Sequence, residues 1–203
     1  DPFTSLIASY GAFAAGFLSR PLGALVFGHI ADTRGRKAVL TISMSIMGVA
    51  TAAIAFLPGA ATLGLAAPAL LVLLRMAQGA SVGGENGSSW VLVIEHAPAH
   101  RRAYTASWWA CFGSCGFLAG SLLVTLLTNL TDDQEMASWG WRLPFLLGAV
   151  IAVLAIWLRR GIVDAAPAAD TGESAELPIG RVVREHKILF LKLFGLNLSF
   201  GVA

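Results

Sequence analysis

Arg20, Arg75 and Glu85 are ionisable residues set inside long apolar runs, and Gln78 follows Arg75 by three positions. A charge held in hydrocarbon costs several kcal/mol, roughly 3 on insertion scales, unless it is paired or wetted. Arg20 lies ten positions before Ile30, and Glu85 lies nine before Ile94. In two helices running the same way, both therefore sit roughly 15 Å from the inner ends, close enough in depth to meet. One reading is a structural Arg20–Glu85 ion pair with Arg75 solvated near the outer mouth. The other makes Arg20, Arg75 and Gln78 the lining of an anion site and Glu85 its protonatable group.

Other chemistry is poorly represented. No H-E-x-x-H, G-x-S-x-G or phosphate-binding glycine loop occurs, and the four His residues fall in loops or at helix ends. An enzyme is not expected, nor is a metal or an organic cofactor. Cys111 and Cys115, four apart, share a helical face without metal-ligand spacing and are expected to be buried small side chains. The net charge of +2 is too small, and the basic residues too confined to loops, for nucleic-acid binding.

The elements that hold these residues are membrane helices. Of 203 residues 56% are hydrophobic and 13% charged, whereas soluble domains carry about 25% charged residues. Apolar runs cover residues 5–30, 40–57, 68–94, 104–130 and 143–158, with a shorter one at 188–203. They lack the period-two alternation of barrel strands, so the expected fold is all-α and integral to the membrane, with about five full spans and the start of a sixth. Basic and non-basic loops alternate between the runs, which puts the first, third and fifth loops in the cytoplasm and Asp1 outside. The chain opens Asp1-Pro2-Phe3 with no signal-peptide pattern and reads as a fragment lacking one helix upstream. Residues 1–158 are expected to form a partial bundle, 159–187 a cytoplasmic linker and 188–203 the start of the next span. Trp139 and Trp141 suit the outer interface as aromatic anchors.

The turn between the first two runs, Gly28-His29-Ile30-Ala31-Asp32-Thr33-Arg34-Gly35-Arg36-Lys37, resembles the signature loop of the major facilitator superfamily. That pattern, G-x-L-A-D-x-x-G-R-K, differs here only at Ile30. A backbone with positive φ is expected at Gly35, whatever the loop does in transport. The stretch Arg75-Met76-Ala77-Gln78-Gly79-Ala80-Ser81-Val82-Gly83-Gly84-Glu85 resembles the metabolite:proton symporter branch. So do Arg20-Pro21-Leu22-Gly23, Glu95 with Pro98 and Arg102, Ser107-Trp108 and Trp139-Gly140-Trp141-Arg142-Leu143-Pro144-Phe145; Ala103 stands where a Gly is common.

This resemblance spans family helices two through six and into the seventh. It implies a proton-coupled transporter of organic acids or zwitterionic osmolytes in the cell (inner or plasma) membrane. Its partners would be the substrate, protons, the lipid bilayer and the carboxy-terminal half of the same protein. It further implies proton coupling at Arg75 and a cytoplasmic gating loop and relay built from Gly28, Asp32, Gly35, Arg36, Lys37, Glu95 and Arg102. Two rival readings are a transport-inactive sensor or scaffold and a drug or metabolite exporter, though the G-P-x-x-G-G pattern of antiporters is missing from the fourth run.

The orientation has a direct check in a Cys-free full-length protein. Single cysteines replacing Ala61 or Asp133 should react with an impermeant thiol reagent added to intact cells, and one replacing Arg101 should not. Labelling at position 101 from outside would invert the topology.

Overall fold

A computed structural model describes residues 2–159 together with 187 and 188. The chain divides into two units, residues 1–166 and 167–203, and the helices described below all belong to the first. Apart from Arg159, Lys187 and Ile188, the expected linker and following span lie outside the described residues.

Within residues 2–159 of the described chain seven α-helices form: α1 (Pro2–Arg34), α2 (Arg36–Ala55), α3 (Ala60–Leu63), α4 (Ala66–His96), α5 (Arg102–Leu130), α6 (Asp133–Ser138) and α7 (Leu143–Arg159). Short 3-10 turns at Ala99–Arg101 and Gly140–Arg142 lead into α5 and α7. Among the described residues five segments are long and apolar enough to span a membrane: Tyr10–Arg34, Arg36–Ala55, Ala66–His96, Ala99–Leu130 and Gly140–Arg159. They coincide with the five full apolar runs, as they must in a solvent that offers the backbone no hydrogen bonds and so forces helices. The protein is therefore a multi-pass, all-α membrane protein.

The signature turn is tight. Gly35 takes φ 86°, a left-handed conformation that only glycine adopts cheaply, and its N–H donates to Ala31 O at 3.1 Å. Phe27, Ala31 and Val39 close a small core there, with Ile30 and Ile42 packed against it.

The most extensive interface joins α1 to α4. A side chain at Gly79 would collide with the Gly16 carbonyl and the Ser19 hydroxyl, and one at Gly83 with the Arg20 carbonyl. At Gly23 it would strike the Ala80 backbone. The Ser19 Oγ lies 2.8 Å from both Gly16 O and Met76 O, so its one proton is shared between the two helices. Small residues are what let helix backbones touch in lipid, where no water is released to drive association. On the other side α2 meets α7 in the same way, Gly48 against Ala152 and Gly148 against Thr51.

By contrast α5 has no buried residue among those described. Cys111 and Cys115 are consequently exposed rather than buried. Two elements were not anticipated, α3 and α6. The second is set by a capping box: Asp132 accepts from Glu135 N at 2.7 Å, and Asp132 N donates to Glu135 Oε2 at 3.3 Å. It delivers the chain to Trp139 and Trp141, and Arg142 stacks on the Trp141 ring at 4.7 Å.

The α1–α4 contact predicts a contrast. Gly79→Val should destabilise the protein by about 1–3 kcal/mol through overpacking, seen as a lower unfolding temperature in detergent. Gly11→Ala, where nothing lies within 4 Å of a new Cβ, should leave it unchanged or raised.

Candidate functional site

Three of the intramembrane residues converge. Arg20 from α1 and Arg75 and Gln78 from α4 line one cavity of about 250 Å³, completed by Phe17, Met47 and Val82. Arg75 Nη1 donates to Gln78 Oε1 at 3.3 Å, and Gln78 Nε2 donates to Thr51 Oγ1 of α2 at 2.7 Å. Thr51 thus fixes the amide so that its oxygen faces Arg75. The Arg75 guanidinium also lies 5.4 Å from the Phe145 ring at the start of α7. Arg75 is half-buried rather than solvated at the mouth. Arg20 stacks on Phe17 at 3.8 Å, and its buried Nε has no hydrogen-bond partner.

Glu85 departs from expectation. Its cation is Arg159, not Arg20: Arg159 Nη2 donates to Glu85 Oε1 at 2.7 Å and Nη1 to Leu40 O at 3.2 Å. The physical reason is azimuth. Gly83 faces α1, and at 3.6 residues per turn Glu85 stands about 200° further round α4, pointing away from Arg20. Depth alone had suggested the pairing. Arg159, assigned to the linker from its sequence, ends α7 and ties that helix to α2 and α4. The pair borders a separate cavity of about 780 Å³, with Asn86, Ser89, Trp108 and Trp109. There Trp109 Nε1 donates to Ser89 Oγ at 3.3 Å.

At the end of the bundle that carries the Gly35 turn, Arg36 Nε lies 3.3 Å from Glu95 Oε2, joining the start of α2 to the end of α4. Asp32 and Arg102 are exposed and form no ion pair among the described residues. Lys37 is half-buried beside Arg36, and Gly28 has open space where a side chain would stand. The geometry thus joins two members of the expected relay directly and leaves the others around them.

Two contributors escaped sequence reasoning. Thr51 gave a weak signal as a hydroxyl in an apolar run. Arg159 looked like a topogenic charge beside Arg160, and nothing in its spacing pointed to Glu85. Among the described residues no cluster of three His, Cys, Asp or Glu is placed to hold a metal.

Comparison with known proteins agrees with this architecture. The chain is 38% identical over 203 residues to the shikimate transporter of Escherichia coli K12, covering 98% of this chain and 46% of that protein. It is 39% identical over 163 residues to the proline/betaine transporter of Salmonella typhimurium, covering 80% of this chain and 32% of the relative. The chain thus spans less than half the length of these relatives. A solved structure of the proton:xylose symporter XylE superposes with a TM-score of 0.68 at 20% identity, over 75% of this chain and 34% of that one, a likeness of fold. The family model for the Major Facilitator Superfamily matches residues 3–203, and the chain belongs to that superfamily of membrane transporters.

Proposed function

We propose that this chain is the amino-terminal part of a proton-coupled symporter that brings a small metabolite, an organic acid or zwitterionic osmolyte, across the cell (inner or plasma) membrane by alternating access. The observation that carries the reading is the cavity into which Arg20, Arg75 and Gln78 all project, inside a bundle of spanning helices. Intramembrane cations that line a cavity mark a path for ions or charged substrates. The names of the shikimate and proline/betaine relatives support a metabolite as cargo.

In this reading Arg20 and Arg75 give the cavity positive potential and Gln78 orients the substrate. Glu85 exchanges the coupling proton, with Arg159 as its counter-ion. Gly28, Asp32, Gly35, Arg36, Lys37, Glu95 and Arg102 form the cytoplasmic gating loop and relay. Residues 1–158, with Arg159 closing α7, belong to the amino-terminal bundle, the rest of 159–187 to the linker toward the carboxy-terminal half, and 188–203 to its first helix. The direct test is uptake of labelled small acids and betaines by the full-length protein in proteoliposomes under an imposed proton gradient. Uptake indifferent to a protonophore would refute symport.

Glu85→Gln cannot release a proton, so it should abolish gradient-driven accumulation while substrate exchange persists. Removing one partner of a largely buried pair also costs about 3 kcal/mol. Glu85→Gln combined with Arg159→Gln should therefore recover thermal stability without recovering coupled uptake. Recovery of coupled uptake in that double variant would rule out Glu85 as the proton carrier.

The relay is tested by charge exchange. Arg36→Glu or Glu95→Arg alone should lower transport several-fold at matched abundance, and the two together should restore much of it, since the pair is close and local. Full transport in both single variants would reduce the loop to a topogenic signal.

A further inference from the structure

The hydrogen bonds beside the small cavity can run in one direction only. A guanidinium has donors and no acceptor, so Arg75 obliges Gln78 to turn its Oε1 toward it, at 3.3 Å. The amide nitrogen then points the other way, and Nε2 donates to Thr51 Oγ1 at 2.7 Å. Thr51 is the acceptor at the end of a chain that starts at Arg75 and crosses from α4 to α2. Of its two bonds the one to Thr51 is short and the one to Arg75 long, so the amide is held chiefly from the Thr51 side.

Thr51 stands at a corner of α2. Met47, four positions earlier, borders the cavity, and Gly48, three earlier, lies against Ala152 of α7. Residues at these spacings share one side of a helix, so Thr51 has the cavity on one flank and the α2–α7 seam on the other. Its two branches divide the same way. The hydroxyl reaches Gln78, while the Cγ2 methyl stands 3.3 Å from where a Cβ would sit on Gly148 of α7. A β-branched side chain in a helix has few χ1 choices, so a methyl lodged against α7 also sets the direction of the hydroxyl. Phe145, three positions before Gly148, brings its ring to 5.4 Å from the Arg75 guanidinium. Arg75 is therefore approached from α7 directly and through Thr51.

Resting on the reading of this cavity as the substrate site, we infer that Thr51 is a positioning residue: its hydroxyl, acting through the Gln78 amide, holds the Arg75 guanidinium in the direction in which it meets substrate. Without the hydroxyl, Nε2 loses its acceptor. An unpaired N–H in an apolar bundle is costly, so the amide turns toward another acceptor and takes Oε1 away from Arg75. Serine supplies the same acceptor. Valine keeps the branched shape and the methyl against Gly148 but supplies none.

The test reads Arg75 itself, by 15N NMR of the arginine-labelled full-length protein in nanodiscs, with the guanidinium signals of Arg75 assigned by their loss in Arg75→Gln. Thr51→Val should shift these signals and speed their hydrogen exchange several-fold, and Thr51→Ser should keep them near the wild-type positions. Gln78→Leu should also displace them, and adding Thr51→Val to it should change nothing more, because the hydroxyl acts only through the amide. Signals unmoved by Thr51→Val, or a double variant that departs further than Gln78→Leu alone, would overturn the inference. Uptake of labelled succinate and glycine betaine by proteoliposomes under a proton gradient separates this claim from the one beneath it. Thr51→Val should raise KM about tenfold with kcat little changed, the measure of one hydrogen bond to a charged group, and Thr51→Ser should recover it. Gradient-driven uptake with the same KM in Thr51→Val as in the wild type keeps the symporter and sinks the role of Thr51. Displaced Arg75 signals without gradient-driven uptake of either probe keep Thr51 as the residue that sets Arg75 and count against symport.

Discussion

Everything in the bundle depends on how closely α1 and α4 approach. Gly79 and Gly83 lie against the carbonyls of Gly16 and Arg20, and Ser19 spans the seam between Gly16 O and Met76 O. Contact this close fixes the axial register of the two helices, because a shift by one residue would bring a Cβ into a carbonyl. The register in turn decides which side chains share a space. Arg20 and Arg75 border one cavity because their backbones touch the opposite helix at Gly83 and Gly16, not because of their distance in sequence.

Along α4 the polar groups are ordered by depth. Arg75 and Gln78 stand in the amino-terminal half of the helix, Glu85 roughly 15 Å beyond Arg75, and Glu95 at the carboxy-terminal end. Each is met by a different helix: Gln78 by Thr51 of α2, Glu85 by Arg159 of α7, Glu95 by Arg36 of α2. One helix therefore carries three separately anchored polar levels. Glycine faces hold it to α1, and side-chain bonds hold it to α2 and α7.

The spans and the turn at Gly35 were legible in the sequence because hydropathy and backbone sterics are local properties. So were the two arginines that line the cavity, since a charge in an apolar run stands out whatever surrounds it. The partners were not legible. Arg20 and Glu85 match in depth, but pairing also requires azimuth, and azimuth depends on which face of α4 the glycines commit to α1. That commitment becomes visible only when Gly79 and Gly83 are seen against Gly16 and Arg20. Arg159 was hidden by its neighbour Arg160, which made both look like surface charge. The capping box at Asp132 and Glu135 is a local signature, an Asp followed three positions later by a Glu, and needs no tertiary partner.

The length of α4 gives its two ion pairs different solvents. Its 31 residues extend about 46 Å against a hydrocarbon core of about 30 Å, so the Glu95 end emerges where Glu85 does not. The Glu95 side chain is 39% exposed and that of Glu85 19%. Mobile ions at about 0.1 M screen charges beyond about 10 Å in water but do not enter a lipid-bounded site. Salt in the bordering water therefore weakens the Arg36–Glu95 tie, modestly at its 3.3 Å separation, more than the Arg159–Glu85 tie. A change of salt in the medium thus reaches the two levels of this helix to different degrees.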